Sequence, residues 1–291
     1  FSMEMNVSNN EEQVVAKKVG GLNPALIIPI LIVIGVAIYL FVLGNPGNFK
    51  ADPRINGLSS VAFADIESKE LHTGDGFMGI IYMGGPIVPI LISFMIIVIV
   101  FSIERALALS KAAGKGNVDS FVLKVRSLLN QNKIDEAIEE CDRQQGSVGN
   151  VVREGLTTYK VLATDSSMNK EQKMVALNKS IEEATTLEMP MLEKNMMILS
   201  TLGTVATLVA LLGTVIGMIK AFSALGSAGG TPDSAALSIG ISEALINTAL
   251  GIGTSAVAII LYNYFTSKID GLTFKIDEIA MSIQQSFAEF H

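Results

Sequence analysis

Cysteine, histidine and charge are all scarce in this chain. A single cysteine, Cys141, among 291 residues excludes an intrachain disulfide framework and any Cys-x-x-Cys metal or redox pair. Its neighbours Ile134, Ala137 and Ile138 recur at helical spacing, so the thiol is expected on the apolar face of a helix. The two histidines, His72 and His291, are too few and too isolated for a metal site or a histidine general base. No nucleophile, metal cluster or cofactor loop accompanies them, so neither an enzyme nor a bound cofactor nor a metal is expected. Charged residues make up 17% of the chain, against about 25% in soluble domains. The net charge of -7 comes without basic grooves or interleaved aromatics, which argues against nucleic acid as a partner.

Apolar residues stand where charge is missing: they make up 49% of the chain, with a mean hydropathy of +0.48. About 20 apolar residues are needed to cross the hydrocarbon core as a helix. Four stretches qualify, at about Pro24 to Leu43, Pro86 to Leu107, Met197 to Phe222 and Ala235 to Phe265. The first follows Lys17 and Lys18, as a signal peptide would. Its long apolar run and the lack of a small-residue cleavage pattern favour a retained helix.

Basic residues near the span ends set the orientation. Arg105, Lys111, Lys115, Lys124, Lys179 and Lys194 lie between the second and third spans, and Lys268 and Lys275 follow the fourth, while "SALGSAGGTPDSAA" has no basic residue. The expected order is a cytoplasmic segment 1–23, a helix 24–43, a periplasmic segment 44–85 and a helix 86–107. A cytoplasmic helical domain 108–196, a helix 197–222, a periplasmic loop 223–234, a helix 235–265 and a cytoplasmic helical tail 266–291 complete it. The periplasmic segment is rich in turn dipeptides, and Asp75 beside His72 reads as solvated loop.

Within the cytoplasmic part, Phe121, Val122, Val125, Leu128 and Leu129 keep a helical period, which repeats after "NQNK" as a helical hairpin. Asn169 is placed to cap a further helix whose apolar stripe is Met174, Leu177, Ile181 and Ala184. That helix points toward the third span, with Pro190 as a potential kink.

The third and fourth spans carry polar groups that a plain membrane anchor does not need. Thr207 and Thr214 are seven apart and share a face, continued by Thr204 and Thr201, while Gly213 and Gly217 form a small-xxx-small pair for close helix approach. In the fourth span Glu243 and Asn247 are four apart, Thr248 and Ser255 seven apart, and Ala244 and Gly251 keep the stripe narrow. Helix packing alone accounts for threonines, whose hydrogen bonds average about 0.6 kcal/mol in membranes. A carboxylate at the bilayer centre costs roughly 2.5–3.5 kcal/mol on insertion scales and marks an ion or proton route. Glu243 has no Lys or His partner on its own span, and Lys220 stands near the outer end of the third. One carboxylate with a few hydroxyls does not complete a transporter, so a second component is expected.

These residues resemble the ExbB/TolQ/MotA family of proton-channel motor subunits. "LLGTVIGMIKAF", Leu211 to Phe222, is similar to a family signature in which Gly-Thr-Val and a following Gly-Met lead to Phe. "GISEALINTALGI", Gly240 to Ile252, with Tyr262 and Asn263 beyond it, resembles the ExbB and TolQ form of the last span. "SIERAL" and "NKIDEAIEEC" resemble the family's first span and its cytoplasmic hairpin. The likeness runs from about Gly85 to the C-terminus. Thr207 stands where the family often has Pro, Ile216 where Trp is common, and the span from Pro24 to Leu43 precedes the usual three.

The resemblance implies an all-α integral membrane protein of the bacterial inner membrane, with long helices extending into the cytoplasm and a homopentameric ring embedded in lipid. It implies a pore holding an ExbD/TolR-type partner with a transmembrane aspartate, and a TonB-like protein that passes the work to outer-membrane transporters. Thr214 and Thr248 then resemble the pore threonines that face that aspartate, Glu243 the intramembrane glutamate, and Thr207 and Asn247 further pore-lining groups, with Gly213, Gly217 and Gly251 as packing positions. A TolQ-like or MotA-like stator subunit and a non-conducting membrane scaffold are the alternatives.

Overall fold

The computed structural model describes residues 23–45, 77–227 and 234–290. Expectations placed on Lys17, Lys18, His72, Asp75, most of the 44–85 segment, much of the 223–234 loop and His291 lie outside the described residues. Among the described residues every regular element is helical. Nine α-helices occur among them: α1 (Pro24–Ala37), α2 (Phe77–Tyr82), α3 (Val88–Ala113), α4 (Val118–Asn130), α5 (Ile134–Gln144), α6 (Gly146–Thr164), α7 (Lys170–Glu193), α8 (Met196–Ser227) and α9 (Ser234–Phe290). Four are long and apolar enough to cross a membrane, within Pro24–Leu43, Gly85–Asn130, Met196–Gly226 and Leu237–Phe290. The chain forms two compact units, one from Pro24–Ser110 with Asn195–Phe274, the other from Lys111–Lys194 with the end of α9.

In the first, membrane-type unit, α1 loosens into a π-helical turn at Ile38–Leu43, which Gly44 closes by donating its N–H to Tyr39 O at 3.0 Å. The wider turn brings Tyr39 and Leu43 to the same buried side, against Tyr82 and Val88. Ser93 of α3 donates to Pro89 O at 2.6 Å and lies within 3.4 Å of Ile32 O on α1. Gly35 faces that serine so closely that any β-carbon there would collide with it. A short 3-10 turn, Gly85–Ile87, joins α2 to α3, and Gly85 holds it in the left-handed region at φ 78°.

Small residues form the seam between α8 and α9. A β-carbon on Gly217 would lie 2.8 Å from Gly240 O, and one on Gly240 would lie 2.8 Å from Gly217 O, so the backbones meet without side chains between them. Ser255 fastens the inner part of the seam by donating to Gly203 O. Helix α9 runs unbroken for 57 residues, about 85 Å at 1.5 Å per residue and more than twice what the hydrocarbon core needs.

The second unit is an amphipathic bundle in which α4, α5, α6 and α7 pack in order, with α4, α6 and α7 touching the last turns of α9. Phe121, Val122, Val125, Leu128 and Leu129 are all buried, as their spacing predicts. Ala137 and Cys141 are buried on α5, and the Cys141 thiol donates to Ala137 O at 3.2 Å. Burial, with the charge of Asp142 beside it, pushes this thiol up to about 12. Tyr159 meets Phe287 edge to face at 4.9 Å. Asn169 caps α7 in a full capping box: it accepts from Gln172 N at 2.8 Å, and the Gln172 side chain accepts from Asn169 N at 3.1 Å.

The expectation that α7 runs on into the third span holds only to Glu193. Pro190 sits within the last turn of α7 without ending it; the break comes at Asn195, in the left-handed region at φ 62°. Asparagine tolerates that conformation better than other non-glycine residues. The Asn195 side chain also donates to Glu104 Oε2 at 3.3 Å.

Candidate functional site

Thr214 of α8 and Thr248 of α9 meet across the seam with their hydroxyl oxygens 2.7 Å apart. Each also donates to the carbonyl one turn back on its own helix, Thr214 to Ala210 O and Thr248 to Ala244 O, both at 3.0 Å. Two hydroxyl protons therefore serve three contacts. Whenever both point backward the 2.7 Å contact has no hydrogen in it, so one hydroxyl has to turn and donate across. Both residues are half-buried, as is Thr207 two turns further along the same face of α8.

Beside Thr214 the surface of α8 carries an open groove of about 600 Å³, lined by Thr214, Val215, Met218, Ile219, Phe222 and Ser223. Val215, Ile219 and Phe222 are exposed, as is Leu245 on α9. The threonine pair thus borders a face that is apolar and uncovered in the single chain. Thr201 and Thr204 have turned to the exposed side of α8 and do not extend the pair.

Glu243 lies elsewhere. Five residues separate it from Thr248, about 140° of rotation at 3.6 residues per turn. It points inward and keeps only 4% of its surface exposed, with Asn247 fully buried one turn on. The expectation of one polar surface joining Glu243, Asn247, Thr214 and Thr248 is therefore corrected to two sites on opposite edges of the seam. Lys220 reaches Glu243 from α8, its ammonium 2.8 Å from each carboxylate oxygen. The sequence places the two 23 positions apart on different helices; pairing them required the register of the α8–α9 seam.

Asn247 stacks on Gly213, where a β-carbon would lie 2.8 Å from its Nδ2, and neither its Nδ2 nor its Oδ1 has a hydrogen-bond partner. Gly251 lies against α8, with a β-carbon there 2.8 Å from Ala206 O. Sequence reasoning missed Thr254, buried on the Glu243 side of α9 and donating to Leu250 O at 2.9 Å. It also read Arg105 only as an orienting charge. Arg105 is 1% exposed and pairs with Glu104 at 2.5 Å, so it is a buried group beside the Asn195 break. No group of His, Cys, Asp and Glu able to hold a metal occurs among the described residues.

The segment carrying both sites, residues 143–278, matches the MotA/TolQ/ExbB proton channel family. The matched segment contains α6, α7, α8 and most of α9, and leaves α1, α2 and α3 outside.

Among similar proteins, the putative biopolymer transport protein ExbB-like 3 of Synechocystis sp. is 32% identical over 114 residues, 38% of this chain and 54% of that protein. The biopolymer transport protein ExbB of Xanthomonas campestris pv. campestris is 33% identical over 113 residues, 38% of this chain and 44% of its own length. The Tol-Pal system protein TolQ of Pseudomonas aeruginosa is 26% identical over 160 residues, 55% of this chain and 69% of its own. The chain spans about half the length of the first ExbB-like relatives it matches. With four candidate spans and this likeness to a proton channel family, the chain is a multi-pass membrane protein.

Proposed function

We propose that the chain is an ExbB-type subunit of an inner-membrane motor driven by the proton-motive force, working with an ExbD/TolR-type partner to energise TonB-dependent transport across the outer membrane. Thr214 and Thr248 carry this reading: a 2.7 Å hydroxyl pair with one proton too few for its contacts, at the edge of an uncovered apolar face. Such a pair serves a carboxyl group in either state. It donates to an ionised aspartate, or accepts from a protonated one while its own protons return to Ala210 O and Ala244 O.

Five copies in a ring would turn the exposed faces of α8 and α9 toward neighbours and toward the partner's transmembrane helix, with membrane lipids covering the outer side. In that arrangement Thr207 continues the hydroxyl track, while Glu243 and Asn247 stand behind it, and Gly213, Gly217 and Gly251 hold the seam closed. The cytoplasmic side carries α4 to α7, and a TonB-like protein receives the work.

A TolQ-like role is the second reading, supported by an alignment that covers 69% of that TolQ against 54% and 44% of the two ExbB relatives above. A MotA-like stator would share the chemistry, and a non-conducting scaffold would not. Proton flux into liposomes, measured for the chain alone and with an ExbD/TolR-type subunit that carries the transmembrane aspartate, separates these classes. The motor reading requires flux only with the partner, lost in Thr248→Val. Equal behaviour of all samples sinks it. The identity of the copurifying partner decides between ExbB-type and TolQ-type systems.

A further inference from the structure

Glu243 is held between two elements, one of them outside the family match. From α8, Lys220 binds both carboxylate oxygens at 2.8 Å. From the turn between α2 and α3, the backbone of Gly85 lies flat on the carboxylate: a β-carbon there would collide with Oε1 and come within 2.7 Å of Cδ. Gly84 is pressed as closely on α9, where a β-carbon would stand 2.7 Å from Ile246. Only glycine satisfies Gly85, because its φ of 78° and the carboxylate above it both exclude a side chain.

That turn is held in place by the additional N-terminal helix. Tyr39 stacks on Tyr82 with ring centroids 4.6 Å apart and planes 16° from parallel, and its hydroxyl donates to Tyr82 O at 3.1 Å. Gly44 closes the other side, since a β-carbon there would come within 2.8 Å of the Tyr82 ring. The Tyr39–Tyr82 cluster also packs on Ile246 and Leu250 of α9, the turn after Glu243.

We infer that α1 is a strap for the intramembrane ion pair: through Tyr39, Tyr82 and Gly85 it presses the Glu243 carboxylate onto Lys220 and fixes it in one position. Tyr39 and Lys220 are positioning residues that act through Glu243. In the proposed motor this makes Glu243 a fixed group behind the threonine pair rather than a carrier that swings. The strap stands on its own geometry, whereas its effect on proton flow rests on the proposed function, so the two are read separately.

The geometric reading uses dicyclohexylcarbodiimide on the full chain in liposomes, with mass spectrometry of its peptides. The reagent activates a protonated Glu243, and the neutral Lys220 amine then displaces the urea and forms an amide, with net loss of one water. Wild type is expected to give the Lys220–Glu243 crosslink as its main intramembrane product. Tyr39→Ala and Gly85→Ala should each lower the yield at least about fivefold, and Tyr39→Phe, which keeps the ring stack, by less. A wild type without the crosslink overturns the inference. So does an unchanged yield in both alanine variants, and a Tyr39→Ala that fails to fold leaves Gly85→Ala and Tyr39→Phe to decide.

The functional reading uses proton flux with the partner present. Lys220→Met should reduce flux roughly tenfold and Lys220→Arg should restore most of it. Neither Lys220→Met nor Tyr39→Ala should reduce it further in a Glu243→Gln background, because both act through that carboxylate. Additive losses there overturn the positioning role. Absence of flux in wild type refutes the motor reading and, with it, the proposed effect on flux, while the crosslink still decides the strap.

Discussion

Replacing Thr248 by valine should separate conduction from stability. Valine keeps the branched shape and volume but loses the hydroxyl. After the change Thr214 still donates to Ala210 O at 3.0 Å, so no buried donor is stranded, and Ala244 O keeps its helical partner. The only interaction lost between helices is the 2.7 Å contact, worth about 0.6 kcal/mol on average in membrane proteins. A fall of less than about 1 kcal/mol in stability is expected. A hydroxyl serving a carboxylate in transit loses more, about 1.5–3 kcal/mol for a hydrogen bond to a charged group, which is roughly a tenfold to hundredfold drop in rate. Thr214→Val should behave alike, and the double variant should lose little beyond either single one, because one missing hydroxyl already breaks the pair. Thermal unfolding in detergent and proton flux in liposomes, on the same preparations, give both numbers. Flux within twofold of wild type together with a stability loss above about 2 kcal/mol would show that the pair only holds helices together.

Gly217→Val should destabilise the membrane unit by about 1–3 kcal/mol, because its β-carbon enters 2.8 Å from both Gly240 O and Ala244 N; an unchanged melting midpoint would contradict the close seam. Asn169→Ala removes the side-chain oxygen that accepts from Gln172 N, while the backbone N–H of residue 169 can still donate to the Gln172 side chain; it should cost about 1 kcal/mol, seen as faster amide exchange in the first turn of α7. Cys141, 2% exposed with its thiol pushed up to about 12, should react with maleimide at pH 8 at least about a hundredfold more slowly in the folded chain than in denaturant. Its folded value lies above its unfolded one, so the unfolded state loses the proton first. Its contribution to stability is therefore complete below about pH 8.5 and declines as pH rises toward 12; melts across that range should show the midpoint falling in wild type and less so in Cys141→Ala.

What could be seen in the sequence was local. The four spans follow from apolar runs, and the buried faces of α4 and α5 follow from their period. The Asn169 cap is visible because its partner, Gln172, stands three residues away. Thr214 and Thr248 could be named by type and resemblance, but their contact depends on the register of two helices 34 positions apart. The same limit hid Lys220 opposite Glu243, and Tyr39 on Tyr82 across 43 positions. Grouping Glu243 with Thr248 failed because a spacing of five turns a helical residue well away from its neighbour. Pro190 drew attention as the potential kink, whereas the break came five residues on, at Asn195, which carries a side chain able to bond Glu104.

The threonine pair has a symmetry that bears on the proposed motor as a whole. Its two hydroxyls are the same chemical group, each with a carbonyl at 3.0 Å one turn behind it, so the arrangement in which Thr214 donates across and the one in which Thr248 does are close to equal in energy. A switch with two equal settings passes a signal equally well in either sense and cannot rectify it. In the proposed motor, any preferred direction of turning has to be imposed from outside the pair, by the difference in proton supply on the two sides of the membrane and by unequal surroundings such as the strapped carboxylate behind it.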